Sequence, residues 1–290
     1  MMDRMSVTSG EVVSEHASHV PAAGLRRMVD SCIGYRLGAW DLARHRGLPS
    51  PGLTLIFTLD EPLMLATHPD PAQPPGSYDA VLSGLHTSPV TVVMDRPQSG
   101  IQLSLSPLGT RALLGRPASE LAGLDVRAGD VLGRPAGELL DRLRCAAGWA
   151  ERFAVLDQGL LALAARGSSH SEVSPEVSYA WRRLLRTGGT VGVRELAAET
   201  GWSDRHLRAR FRAETGLGPK AAGRVIRFTE ARTQLGRRAA AGCPLDLAGL
   251  AVACGYFDQA HLDREFAQLA GCSPTTWLAE EFQNIQPTAA

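Results

Sequence analysis

One pattern occurs twice in the last third of the chain. Leu196-Ala197, Gly201, His206-Leu207, Arg210-Phe211, Gly216 and Pro219 return as Leu250-Ala251, Gly255, His261-Leu262, Glu265-Phe266, Gly271 and Pro274. Leu196 and Leu250 lie 54 residues apart and Leu207 and Leu262 lie 55 apart, so the second copy has one extra residue in its turn. Each copy contains what two helices joined by a tight turn require. Ala197 or Ala251 is small where the helices approach closely, a glycine ends the first helix, and Ser203 or Asp258 offers an oxygen to cap the next. That second helix has Leu207 and Phe211, or Leu262 and Phe266, at an i, i+4 spacing that buries one face and leaves the other free. The pattern predicts two helix-turn-helix units, with a plain helical bundle as the blander alternative.

Charge points the same way. The chain is neutral overall, with 30 basic and 30 acidic residues, yet Trp202 to Arg238 holds ten basic residues against Asp204, Glu214 and Glu230. Such an excess is the footprint of a polyanion site or of a solvated helix face. Lys220 is the only lysine, so the positive charge is almost all guanidinium. In a helix-turn-helix the early exposed positions of the second helix meet base edges in the major groove. In the first copy these are Arg205, Arg208 and Ala209, with Arg212 further along toward a phosphate. An arginine fork bonds O6 and N7 of guanine together, so Arg205 and Arg208 are expected to read guanines. A helix over Pro219 to Arg238 is roughly 30 Å long at about 1.5 Å per residue. That is close to the roughly 34 Å of one duplex turn, so both units can enter successive grooves. Arg224, Arg227, Arg237 and Arg238 on this helix are candidates for phosphate contacts, with solvated surface arginine the competing reading of each.

The stretch Leu196 to Phe211, the helix around Arg227-x-x-x-Ala231-x-x-x-Leu235, and Gly255-Tyr-Phe-Asp-Gln-Ala-His-Leu-Asp-Arg-Glu-Phe266 followed by Gly271-Cys-Ser-Pro274 resemble the DNA-binding domain of the AraC/XylS family of transcription regulators. The resemblance implies double-stranded DNA as partner. It places the second unit's contacts at Gln259, Ala260, His261 and Arg264. Asp263 and Glu265 add negative charge there, and Ala267 and Gln268 stand where the family has basic residues. The second unit is therefore expected to contribute less affinity than the first. The resemblance further implies an N-terminal domain that senses a small molecule, dimerises the chain, or both, together with contact to RNA polymerase and a cytoplasmic location. Pro107-x-Gly-x-Arg-Ala-Leu-Leu-Gly115 with Pro117-Ala-x-Glu-Leu121 looks like N-terminal domains attached to such regulators.

Upstream, Leu53 to Leu59, Leu63 to Thr67, Ala80 to Leu85, Val90 to Met94 and Ile101 to Leu105 read as short strands bounded by turn formers, hence an antiparallel sheet or small barrel. Ala136 to Ala147 and Trp149 to Arg166 place leucines and Phe153 at helical spacing. Their apolar faces close the sheet's core or form a dimer interface, and both readings can hold for different faces. The expected class is α+β: an N-terminal antiparallel β-rich domain followed by helices, then an all-α C-terminal domain with two helix-turn-helix subdomains joined by a long linker helix. The boundaries are a disordered tail over 1–24, the β-rich domain over 25–167, a linker over 168–174 and the DNA-binding domain over 175–290. The N-terminus has no continuous apolar stretch for a signal or membrane anchor. Five cysteines without a C-x-x-C pair fit neither a disulfide framework nor a structural zinc site. His45, His68 and His86 are scattered, which favours loop or surface roles over metal ligation. Trp40, Phe57 and Tyr78 either line a small pocket or pack in the core. No cofactor, metal or catalytic residue is expected; the competing class is an enzyme or DNA-repair protein carrying this type of DNA-binding tail, for which Cys32 and Cys145 are the only cysteines ahead of the linker.

Overall fold

The computed structural model describes residues 5–7, 14–38, 44–167 and 173–283. Two antiparallel sheets form its first part. The larger contains β1 (Met5–Val7), β2 (Ser14–His19), β3 (Val29–Leu37), β5 (Leu53–Thr58), β8 (Ala80–Ser83), β10 (Gln98–Leu105) and β11 (Asp125–Arg127), in the order β1-β2-β3-β10-β5-β8-β11. The smaller contains β4 (Arg44–Gly47), β6 (Leu63–Thr67), β7 (Gly76–Tyr78) and β9 (Val90–Val93), in the order β4-β9-β6-β7. All five strands expected from the sequence are present, with ends shifted by a few residues.

Alternation along β5 explains why two layers cover the larger sheet. Leu53, Leu55 and Phe57 are fully buried toward the helices, whereas Ile56 packs with Leu63, Leu65, Val90 and Val92 between the sheets. Successive strand side chains point to opposite faces, so a strand carrying apolar residues at both parities is covered on both. The helices are α1 (Thr110–Leu114), α2 (Ala128–Leu132), α3 (Arg134–Cys145) and α4 (Trp149–Gly167). Leu139, Leu143, Phe153, Leu156 and Leu160 from α3 and α4 join the sheet's buried cluster. These two helices therefore close the core, which settles one of the two readings of their apolar face. Phe57 and Tyr78 are core residues, while Trp40 and residues 168–172 of the expected linker lie outside the described residues.

Two expectations need correction. The tail over 1–24 is not a tail from Ser14 onward, because β2 pairs along β3 from Glu15 opposite Arg36 to His19 opposite Cys32. Of its half-buried positions only Ala17 is apolar, and Glu15 and His19 are satisfied by α4: His19 stacks on Phe153 at 4.5 Å and bonds Asp157 at 3.0 Å, and the Trp149 indole donates to Glu15 at 3.1 Å. A strand held by polar contacts gives no hydrophobic signal. His68 stands in the loop after β6, one of the two places expected for it, but it is not at the surface, since its side chain is wholly buried with Nδ1 2.6 Å from Asp125 Oδ2.

The remaining chain is helical: α5 (Pro175–Arg186), α6 (Val193–Thr200), α7 (Asp204–Thr215), α8 (Pro219–Ala240), α9 (Leu247–Ala253), α10 (Gln259–Ala270) and α11 (Pro274–Gln283). Trp181, Leu196, Leu207, Phe211 and Ile226 pack the first unit, and their cluster runs without a break into the core of the sheet domain. Phe228, Leu250, Leu262, Phe266 and Trp277 pack the second unit as a separate core. The 22 residues of α8 span both units, a length of about 33 Å. Among the described residues no helix is long and apolar enough to cross a membrane.

Candidate nucleic-acid interface

Each repeat folds as its residues dictate. In the first, α6 ends at Gly201 with φ 70°, and the Ser203 side chain accepts a bond from the His206 amide at the start of α7. In the second, Asp258 caps α10 in the same way, accepting from the His261 amide at 2.7 Å. Each cap satisfies a helix-end donor, worth about 1 kcal/mol. Leu207 and Phe211, like Leu262 and Phe266, are fully buried. That fixes the rotation of both helices and turns the opposite face outward.

On α7 the outward face carries Arg205, Arg208, Ala209, Arg210 and Arg212, all exposed. Beside it lies a groove of about 480 Å³ whose lining includes Arg194 from α6, Arg208 from α7, and Lys220 and Arg227 from α8. The N-termini of α6 and α8 also border this groove through Gly192 and Pro219. Helix N-termini present unpaired amides and a positive dipole end, so four cations set among them, against the one carboxylate of Asp204, suit a phosphate. Sequence reasoning missed Arg194 and left Lys220 as background charge. Only the folded turn carries them to Arg208, and no local signal marks them.

On α10, Gln259, Ala260 and Arg264 are exposed. His261 is half-buried edge-on against Tyr256 with ring centroids 5.3 Å apart, and its Nδ1 accepts the Phe257 amide at 3.3 Å. It thus organises the turn. Arg224, a candidate for phosphate contact, also forms a strut between α8 and α10. Its Nε lies 2.9 Å from both oxygens of Glu265, which is buried, and Nη2 reaches Gln268 at 2.5 Å. Nε and Nη2 of this guanidinium are thus committed within the protein. Arg227 lies over the Tyr256 ring at 5.1 Å and joins the second unit's turn to the groove of the first. Burial holds the Tyr256 phenol well above its ordinary value. Arg232 is pulled below its usual range by burial, with Glu281 opposing that shift. Part of the basic excess in this segment is therefore internal.

The sheet domain touches the C-terminal end of both exposed helices. Arg111 donates from Nε and Nη2 to the two oxygens of Glu214 on α7, at 2.8 and 2.9 Å, and this bond raises the Arg111 pKa further. Ser119 donates to the Ala213 carbonyl at 2.6 Å. Arg46 on β4 makes a matching fork to Glu280 on α11, at 2.7 and 3.0 Å, and reaches the Ala270 carbonyl at the end of α10. That fork holds the Glu280 carboxyl below its ordinary range.

A family model described as a helix-turn-helix domain matches residues 196–280. This C-terminal region is therefore a helix-turn-helix domain. A second model, described as a domain of unknown function, DUF6597, matches residues 17–127. Ahead of the helix-turn-helix domain the chain therefore carries a recognisable unit of its own, and that match begins within β2. ToxT from Vibrio cholerae, in its unsaturated fatty acid bound form, is similar over 90% of this chain and 97% of its own, at 9% identity and a TM-score of 0.52. The likeness shows a common fold of sheet domain followed by a helical domain. The DNA-binding domain of AdpA, solved with a target DNA, covers 40% of this chain and 100% of its own, at 23% identity and a TM-score of 0.34. The C-terminal domain of AraT, a response regulator from Geobacillus stearothermophilus, covers 38% and 88%, at 20% identity and a TM-score of 0.34. No curated protein matches the sequence.

Proposed function

We propose that the chain is a sequence-specific, double-stranded-DNA-binding transcription regulator of the AraC/XylS type, controlled through its N-terminal domain. The observation that carries this reading is the outward row of Arg205, Arg208 and Arg212 on a capped second helix, beside a groove lined by Arg194, Lys220 and Arg227. Arg205 and Arg208 read guanines, the groove takes a phosphate, and Ala209 lies against the base edges. The second unit reads through Gln259, Ala260 and Arg264 and adds less affinity, since its helix carries Asp263 where the first unit has Arg208 and has a single arginine. Control passes through Arg111 and Arg46, which connect the sheet domain to each unit. We assign the sheet domain a small-molecule effector and a role in homodimerisation, RNA polymerase as a further partner, and the cytoplasm as the place of action.

A repair-enzyme reading requires an activated thiol. Cys32 points the other way, because burial and then Asp157 push its pKa up to about 12. Among the described residues no group of three or more His, Cys, Asp or Glu gathers to hold a metal.

Selection of bound duplexes from a random pool tests the function, repeated with Arg208→Ala and Arg264→Ala. The first substitution is expected to relax base preference strongly, by about 1–3 kcal/mol at one position, and the second mildly. Failure of the wild-type chain to enrich any sequence overturns the proposal. A larger effect from Arg264→Ala reverses the ranking of the units. For the effector, melting curves across a metabolite panel that includes fatty acids are expected to show a raised midpoint with the right compound, since a ligand of the native state stabilises it.

A further inference from the structure

The extra residue in the second turn has an identity and a position. In the first unit Trp202 precedes the cap Ser203 and packs edge-on against His206, centroids 4.5 Å apart at 81°. In the second unit Tyr256 takes that part against His261, at 5.3 Å and 89°. Between Tyr256 and the cap Asp258 stands Phe257, which has no counterpart in the first unit. The residue is 88% exposed, the most exposed large apolar residue among those described. An apolar residue just ahead of a cap commonly folds back onto the fourth helical residue. Here that residue is Leu262, and it is fully buried while Phe257 remains outside. The Phe257 amide donates to His261 Nδ1 at 3.3 Å, so the backbone that presents the ring is held to the helix.

What surrounds the ring differs from the first unit in a consistent way. Counting from the caps, Ala260 stands where the first unit has Arg205, and Asp263 where it has Arg208. Both guanine-reading forks are therefore missing at the tip of α10, and an exposed Phe257 and Ala260 take their place. Phenylalanine and alanine are side chains that contact the 5-methyl group of thymine in the major groove. We propose that Phe257 is a specificity-determining residue of the second unit, laying its ring on thymine methyl groups in the half-site that α10 enters. The proposal rests on the DNA-binding reading above. It gives the two units different chemistries: guanidinium forks onto guanine in the first, apolar contact onto thymine in the second.

The test uses the full chain and the duplex enriched by random-pool selection, with thymines replaced singly by deoxyuridine, which removes only the methyl group. Wild-type affinity is expected to fall about fourfold at one or two adjacent positions of the second half-site, the factor that corresponds to about 0.8 kcal/mol for one buried methyl-sized group. Phe257→Ala is expected to bind the parent duplex more weakly by a similar factor and to lose the preference for thymine over uracil at those positions only. Phe257→Leu is expected to keep part of it. Circular dichroism confirms folding, which loss of an exposed ring leaves intact. Wild-type indifference to uracil throughout the second half-site overturns the proposal, as does an unchanged thymine preference in Phe257→Ala. A Phe257→Ala chain that binds DNA normally but sediments differently, or fails to bind polymerase, assigns the ring to a protein partner instead. If the wild-type chain selects no sequence and Arg208→Ala leaves affinity unchanged, the DNA-binding reading fails and takes this proposal with it. That case is recognised by the lost dependence on Arg208.

Discussion

Gly216 and Gly271 end the two exposed helices in the same left-handed conformation, with φ 85° and 70°, but their surroundings differ. A Cβ on Gly216 would lie 2.3 Å from the Ala122 Cβ and 3.1 Å from the Ser119 backbone, whereas one on Gly271 would meet Arg46 and Pro89 at an ordinary 3.4 Å. Alanine costs about 1–2 kcal/mol for the left-handed conformation at either site. At Gly216 it must also displace the sheet domain. Gly216→Ala is therefore expected to lower the melting midpoint more than Gly271→Ala, as parallel melts will show. His86 illustrates a different kind of single-residue effect. Burial lowers its pKa from 6.5, against the opposing pull of the Ser88 carbonyl and Asp125. The unfolded chain thus takes up a proton that the folded chain refuses. This contribution to stability is whole above 6.5 and is lost as the pH falls toward the lower folded value. His16 and His45 are lowered by burial too and carry the same sign. Urea midpoints at about pH 7.5 and about pH 5.5 are expected to show the loss, and His86→Gln to reduce it.

At the scale of elements, the brace from α8 to α10 decides how the second unit is held. Arg224 and Glu265 are paired at 2.9 Å with side-chain exposures of 26% and 11%. Removing one partner leaves the other half-desolvated without its bond, at a cost of about 1.5–3 kcal/mol for a charged hydrogen bond. Glu265→Ala is expected to speed amide exchange in α10 while leaving α7 unchanged, a contrast that hydrogen exchange resolves by segment. The same brace shows what spacing left out of the reading of Arg224. Its position on α8 is fixed by helical period, but Glu265 is 41 residues away in sequence. Conversely, Ser203 and Asp258 were legible as caps because a cap and its amide lie three residues apart.

For the whole molecule, two arginine forks from one domain reach both DNA-binding units, Arg111 to Glu214 and Arg46 to Glu280. The relative placement of the two units is thus set by α8 and by the sheet domain together. Arg46→Ala is expected to loosen the second unit alone. Competition between duplexes whose half-sites are moved apart by one base pair will then show weaker discrimination than in the wild-type chain. Unchanged discrimination means that α8 alone fixes the spacing.

The amino-acid order by itself determined the tandem units, their caps, their buried Leu and Phe pairs and five strands of the sheets, because each depends on residues a few positions apart. It also marked the second turn as one residue longer. Only the tertiary structure decided which arginines face outward, that Arg194 and Lys220 join Arg208 at one groove, and that the N-terminal segment from Ser14 is a strand. It alone showed that the added residue, Phe257, stands in solvent. Charge pairing and exposure are set by partners tens to hundreds of residues distant, and periodicity carries no information across that range.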